Sequence, residues 1–359
     1  MSLYTALARP ALFRLSADQA HDWTVRAAAG LGAVPGALAP LRWWLRYADP
    51  ILQRDYLGLS FQNPLGIAAG FDKNAQAVPF LQALGLGFVE IGSITAQPGA
   101  GNPKPRSFRL PADASLINRM GLNNQGADVV TQRLAALRHR GRVKVPVGIN
   151  IAKTHDPAIC GTAAHADYAY SLQRAKTVAD YITLNISCPN TAEGKTFEEP
   201  EGLAELLQAL DWRDDAQMPP VLVKLSVDLP STQLAELLAV CEGFAVAGYV
   251  AVNTSTRREG LQTDSATLDK IGAGGLSGAA IADRSTAVIA AIAAQTGGQK
   301  LIMGVGGIAS AHDAIAKLQA GAHLLQVYTG LVYQGPGLIR QINRGVAEFL
   351  RTGTVPGQT

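Results

Sequence analysis

Eight short apolar runs, each followed by a stretch of helical periodicity, constrain this chain more than any other feature of it. They are Pro64 to Gly70, Phe88 to Thr95, Val145 to Ala152, Tyr181 to Cys188, Val221 to Val227, Gly248 to Asn253, Lys300 to Gly307 and Leu324 to Gly330. The runs show no polar alternation, so each reads as a parallel strand covered on both faces. Helical patterns lie between them, among them Val129-Val130 with Leu134 and Leu137, Leu234 with Leu237 and Leu238, and Ile315 with Leu318. A last one runs from Leu338 to Leu350. Eight such units predict an α/β chain closed into a (β/α)8 TIM barrel. The competing doubly wound sheet would want G-x-G-x-x-G between an early strand and its helix, and none lies there.

With 359 residues the chain is long enough for the barrel, expected over 48–359, and an N-terminal helical extension over 1–47. In the extension, Leu3, Tyr4, Leu7, Ala8, Ala11, Leu12 and Leu15 recur at helical spacing beside Arg9 and Arg14, and Pro10 is expected to break the pattern. A second helix should start near Ser16 with Ala20, Trp23, Ala27 and Leu31 on one face. Leu41 to Tyr47 then sets Trp43, Trp44 and Tyr47 beside Arg42 and Arg46. Two readings fit: a helical cap packed on the barrel, or a segment suited to a lipid headgroup interface. Neither a signal peptide nor a bilayer-spanning run is read here.

Charge and cysteine usage narrow the partners. A net charge of +3 without Lys/Arg blocks argues against a nucleic-acid footprint. Cys160, Cys188 and Cys241 are too widely spaced to signal a disulfide framework or a zinc site, which fits a reducing cytoplasm. No histidine pair stands at helical ligand spacing beside a carboxylate, so no metal is assigned.

The chemistry gathers at the C-terminal ends of the strands, where a barrel keeps its active site. The first ends in Ala69-Gly70-Phe71-Asp72-Lys73-Asn74, the second in Gly92-Ser93, and the third holds Asn150. The fourth opens into Asn185-Ile186-Ser187-Cys188-Pro189-Asn190, where carboxamides flank a thiol. These suit a planar amide-rich ligand and a proton transfer, or else a simple strand end with an inert cysteine. Lys224 lies inside the apolar run Val221 to Leu225, where a buried ammonium needs an anion or hydrogen-bond acceptors. Asn253-Thr254 ends the sixth strand, and Asn118 to Asn124 adds a carboxamide-rich loop after the second. Gly306-Gly307 and Tyr328-Thr329-Gly330, after strands seven and eight, form the two halves expected of a phosphate cradle.

With these residues placed, the chain resembles the dihydroorotate dehydrogenases of the membrane-associated, quinone-using type. The motifs A-A-G-F-D-K-N, I-N-R-M-G, N-I-S-C-P-N-T, G-G-L-S-G, G-V-G-G-I and Q-V-Y-T-G occur in the family's order, and the resemblance covers nearly the whole chain. It implies FMN at the barrel mouth, contacted by Ala69, Gly70, Ser93, Asn150, Asn185, Lys224, Gly278, Gly306, Gly307, Tyr328 and Thr329. It implies dihydroorotate or orotate held by Lys73, the Asn118-Arg119-Met120-Gly121-Leu122 stretch, Asn185, Asn190, Asn253 and Thr254. Cys188 would be the base that takes a proton from ring carbon 5 as hydride leaves carbon 6 for the flavin. His21, Arg109 and Tyr328 match positions of a quinone tunnel under the N-terminal helices. The implied step belongs to pyrimidine synthesis, at the cytoplasmic face of the membrane, with peripheral attachment. Three features depart from the quinone-using pattern: Cys188 in place of the usual serine, Ala192-Glu193-Gly194-Lys195 in place of Pro-Gly-Leu-Arg, and Val252 where threonine is common. Fumarate or NAD as acceptor, and a related FMN barrel oxidoreductase, remain the alternatives.

Overall fold

The computed structural model describes residues 4–187 and 197–355. Eight parallel strands close a barrel: β1 (Leu65–Ile67), β2 (Phe88–Ile94), β3 (Val147–Ile151), β4 (Tyr181–Asn185), β5 (Val221–Leu225), β6 (Val246–Ala251), β7 (Leu301–Val305) and β8 (Leu324–Val327). Each pairs with its neighbours in sequence, and β8 pairs with β1, so every expected strand is present and in order.

The helices, in chain order, are α1 (Arg9–Arg14), α2 (Ala17–Ala33), α3 (Ala39–Leu45), α4 (Val78–Ala83), α5 (Ala127–His139), α6 (Gly161–Ala175), α7 (Pro200–Leu210), α8 (Ser231–Glu242), α9 (Ser265–Ile271), α10 (Ala282–Gln295), α11 (Ala311–Gln319), α12 (Thr329–Gln334) and α13 (Gly337–Thr352). Most of the buried apolar side chains fill the layer between the barrel and these helices.

A second cluster fills the barrel itself. Phe88, Tyr181, Leu222, Leu301 and Leu324 form its lower layer, and Phe61, from an antiparallel hairpin (Arg54–Tyr56 and Leu59–Phe61), plugs the end below them. Phe61 meets Phe88 edge-on at 5.5 Å. The large rings need small neighbours: a Cβ on Gly148 would lie 2.1 Å from the Tyr181 ring. With side chains alternating along each strand, the same inward rows continue upward into polar residues, so an apolar floor gives way to a polar mouth.

Two loops roof that mouth. Ser107–Leu110 and Ser115–Asn118, after β2, join Gly275–Gly278, after β6, in a three-stranded antiparallel sheet. Asn118 therefore stands on a strand end, where the sequence suggested only a loop.

The N-terminal helices lie against the barrel, with two differences from expectation. Pro10 does not interrupt the first segment; Tyr4–Ala8 is a π-helix that runs directly into α1, and Pro10 sits in the first turn, where no intrahelical N–H is required. Helix α2 starts as expected: Ser16 Oγ accepts from Gln19 N–H, and Gln19 Oε1 accepts from Ser16 N–H, each at 3.2 Å. Its packed ridge, however, is Ala20, Ala28 and Gly32, and the position expected for Gly32's Cβ is only 3.6 Å from Pro79 at the start of α4. Of the face expected to carry Ala20, Trp23, Ala27 and Leu31, Ala20 is buried, Ala27 is exposed, and Trp23 and Leu31 are 62% and 47% exposed. Small residues let two helices approach closely, so they win the interface although their hydropathy signal is weak.

Candidate active site

The loop after β1 is set by a buried acid. Asp72 carries the backbone N–H groups of Asn74, Gln76 and Ala77 on its carboxylate, at 3.3, 2.9 and 2.7 Å, and this turns the chain so that Lys73 faces the barrel mouth. Lys73 Nζ donates to Gly70 O at 2.7 Å. Burial, and next the charge of Arg106, push its pKa down to about 8.

A cavity of about 180 Å³ occupies the mouth. Of the residues expected around a cofactor, Ala69, Gly70, Ser93, Asn185, Lys224, Gly278, Gly306, Gly307, Tyr328 and Thr329 line it. Asn150 does not; it is fully buried behind Ser93 and accepts that hydroxyl's hydrogen bond at 2.5 Å. Of the residues expected around a substrate, Lys73, Asn118, Met120, Gly121, Leu122, Asn185, Asn253 and Thr254 line the same cavity. Arg119 does not, because its guanidinium donates to the carbonyls of Ile271 and Ala273 and lies over the Phe108 ring. Cys188 and Asn190 fall outside the described residues.

The glycine turns have the form of an anion cradle. Gly307 holds φ +75°, and a Cβ there would lie 2.4 Å from Ala282 Cβ; one on Gly330 would lie 2.0 Å from Ile308 O. A side chain on Gly330 would push the two turns apart, and one on Gly307 would push its turn off the start of α10. The Thr329 hydroxyl of the second turn meets that of Ser277 on the roof strand at 2.9 Å. Lys224 stands in register with Asn185 and is 6% exposed, so a lysine side chain is buried in the wall of the same cavity. Ser107, Ser277 and Gln326 also line it and were not singled out in the sequence. Among the described residues, no group of three or more His, Cys, Asp or Glu could hold a metal ion.

A second cavity, also about 180 Å³, lies between the N-terminal helices and the barrel. Its wall is mostly apolar, from Leu12, Phe13, Ala20, Phe71, Leu84, Leu331 and Val332, with His21, Arg109 and Tyr328 among its polar members beside Tyr4, Thr24 and Ser107. Arg109 donates to Leu15 O at 2.8 Å and Leu12 O at 3.3 Å, closing the end of α1, and its guanidinium carbon lies 4.4 Å from the Phe13 ring centre. His21 stacks on Tyr328 with ring centres 6.4 Å apart. Burial, then the Lys73 charge, push the pKa of His21 down to about 3, so the imidazole is neutral at ordinary pH. Ser107, Leu116 and Tyr328 line both cavities, so the wall between the two is one side chain thick.

A family model described as dihydroorotate dehydrogenase matches residues 51–350. The chain belongs to the dihydroorotate dehydrogenase family. Similarity to curated relatives covers nearly the whole chain. The chain is 44% identical to a dihydroorotate dehydrogenase (quinone) of Natronomonas pharaonis, over 98% of this chain and 95% of that one. It is 41% identical to a dihydroorotate dehydrogenase (quinone) of Thermobifida fusca, over 97% and 93%. Among solved structures, DHODH of Eimeria tenella in complex with ferulenol superposes with a TM-score of 0.83 at 33% identity, covering 94% of this chain and 92% of that one. The fold of a dihydroorotate dehydrogenase is thus shared along nearly the full length.

Proposed function

We propose that the chain oxidises dihydroorotate to orotate in pyrimidine biosynthesis and passes the electrons to a quinone. The observation that carries this reading is the pair of cavities, one polar and one apolar, meeting at Tyr328. A redox enzyme with a hydrophilic donor and a lipid-soluble acceptor needs two such chambers on one cofactor.

The cofactor proposed is FMN. The residues present suit it: a glycine cradle for one phosphate, a buried cation at Lys224, and an unmatched buried acceptor at Gln326 Oε1. Bound there, FMN supplies the two-electron acceptor that no side chain can provide. Lys224 offers its charge to the anion that the reduced cofactor becomes. On the substrate side, Lys73 pairs with the carboxylate, while Asn118, Asn190, Asn253 and Thr254 present mixed donors and acceptors to the ring amides. Cys188 takes the proton from ring carbon 5.

On the acceptor side, residues 1–47 form the quinone chamber over the barrel of 48–359, with His21, Arg109 and Tyr328 as its polar contacts. The extension exposes Trp43 at 86%, Leu7 at 67%, Val34 at 55% and Trp44 at 53%, beside Arg42 and Arg46. No helix among the described residues is long and apolar enough to cross a membrane. Apolar side chains among cations suit peripheral attachment to a lipid surface at the cytoplasmic face, with the chamber opening toward its quinone.

The test is a purified preparation that is yellow, releases FMN on heating, bleaches with dihydroorotate, and recovers colour with a ubiquinone analogue. Reoxidation by fumarate or NAD as fast as by the quinone would overturn the acceptor assignment.

A further inference from the structure

We infer that Glu90, which lines neither cavity, is a positioning residue that fixes which atoms of the pocket carboxamides face the bound cofactor and substrate. The inference rests on the flavin and pyrimidine reading of the barrel mouth and deepens it. Glu90 lies midway along β2 with no exposed surface, and no ion pair reaches it among the described residues. Its carboxylate instead accepts four hydrogen bonds across the barrel lumen: Asn150 Nδ2 at 3.0 Å on one oxygen, and Gln326 Nε2 at 2.7 Å with Tyr181 OH and Thr183 Oγ1 at 3.2 Å on the other. Strands β4 and β8 are not neighbours of β2, so the acid ties together strands that share no ladder. Burial, then the charge of Glu90, hold the Tyr181 phenol protonated and therefore a donor.

An ionised carboxylate can only accept, so each amide that reaches it must present nitrogen. That choice propagates. Asn150 with its nitrogen on Glu90 turns Oδ1 to Ser93, whose hydroxyl donates to it at 2.5 Å. The Ser93 oxygen is then left to accept, and Asn185 Nδ2 donates to it at 3.1 Å. Asn185 Oδ1 in turn accepts from Asn253 Nδ2 at 3.1 Å, and Asn253 Oδ1 accepts from Thr254 N–H at 2.9 Å. Every link runs toward Glu90, and four of its members, Ser93, Asn185, Asn253 and Thr254, line the cavity. Asn185 keeps one N–H for a ligand, and Asn253 keeps an acceptor lone pair.

The same acid sets a branch that ends unpaired. Gln326 gives Nε2 to Glu90, with Met303 Sδ at 3.7 Å from the same nitrogen, and lines the cavity while its buried Oε1 has no partner. An acceptor left in this state is costly until a donor meets it. The oxidised isoalloxazine ring carries a single N–H, at N3, and so has the donor this oxygen lacks.

The test uses Glu90→Gln in the full chain, which keeps the size of the side chain but turns an N–H₂ toward groups that also donate. Apo protein stripped of flavin is titrated with FMN and with N3-methyl-FMN, and its melting temperature is measured. The expected result is FMN binding at least about tenfold weaker, with a shifted near-ultraviolet flavin band and an affinity loss larger than the fall in apo melting accounts for, since one mismatched hydrogen bond is of that order. Glu90→Asp, which keeps the acceptor, should recover part of the affinity and the band position. Wild type should prefer FMN to the N3-methyl form, and Gln326→Leu should lose that preference. An affinity and spectrum in Glu90→Gln within about twofold of wild type would overturn the inference. So would an affinity loss that follows apo destabilisation equally in Glu90→Gln and Glu90→Asp, or a preference unchanged in Gln326→Leu. Wild type that binds no flavin would instead refute the flavin reading itself.

Discussion

Cys188 carries the sharpest consequence at the scale of single residues. A thiol titrates near ~8.5 and a serine hydroxyl far higher, so a cysteine base is partly ionised at neutral pH. Flavin reduction by dihydroorotate should therefore rise with pH through the thiol's titration, and Cys188→Ala should slow it by roughly 10²–10⁴-fold. Rapid mixing across pH reads this directly; near-wild-type bleaching in Cys188→Ala with flavin still bound would remove the thiol from the mechanism. Residues such as Lys73, Lys224 and Asn185 were legible because their chemistry is local: a polar side chain at the end of an apolar strand. Glu90 obeys the same logic as Lys224, a charge inside Phe88-Val89-Glu90-Ile91, yet its meaning depends on partners from β3, β4 and β8. A charged residue in an apolar run was a usable signal, but its role as the end of a relay becomes visible only when the strands close. Arg119 shows the converse, since its motif position suggested the pocket and its carbonyl partners drew it away.

Among elements, the barrel strands were readable because each is a largely apolar run without polar alternation, while the roof was not. Its strands are short, pair antiparallel, and come from loops more than 150 residues apart in the chain, as Asn118 opposite Gly275 illustrates. Helix α2 was placed near Ser16 by its periodicity but its packed face was misread, because alanine and glycine make a close-packing ridge that hydropathy does not flag. That correction has a functional reading: the bulky Trp23 and Leu31 are left outward, continuous in kind with the exposed tryptophans of α3. Deleting residues 1–47 should abolish reduction of a quinone analogue and co-sedimentation with anionic vesicles, while dihydroorotate still bleaches the flavin. Loss of bleaching in the truncated protein would mean that the extension serves the substrate side as well.

For the whole molecule, burial of His21 couples stability to pH. Its pKa is about 3 in the folded chain against an ordinary 6.5, so between these values the unfolded chain binds more protons. The stability this group confers is complete above pH 6.5 and is lost progressively as pH falls toward 3. His21→Leu should flatten that acid limb, whatever it does to the baseline, and denaturant midpoints at pH 7 and pH 5 would show it. An equally steep decline in the variant would place the acid sensitivity elsewhere. The thin partition at Tyr328 bears on turnover itself. Two chambers parted by a single layer of side chains let electrons cross where molecules are held back, so orotate can leave before or after the oxidant arrives. Steady-state plots against the two substrates should then run parallel, and a compound lodged under the N-terminal helices should leave the pyrimidine's own binding untouched.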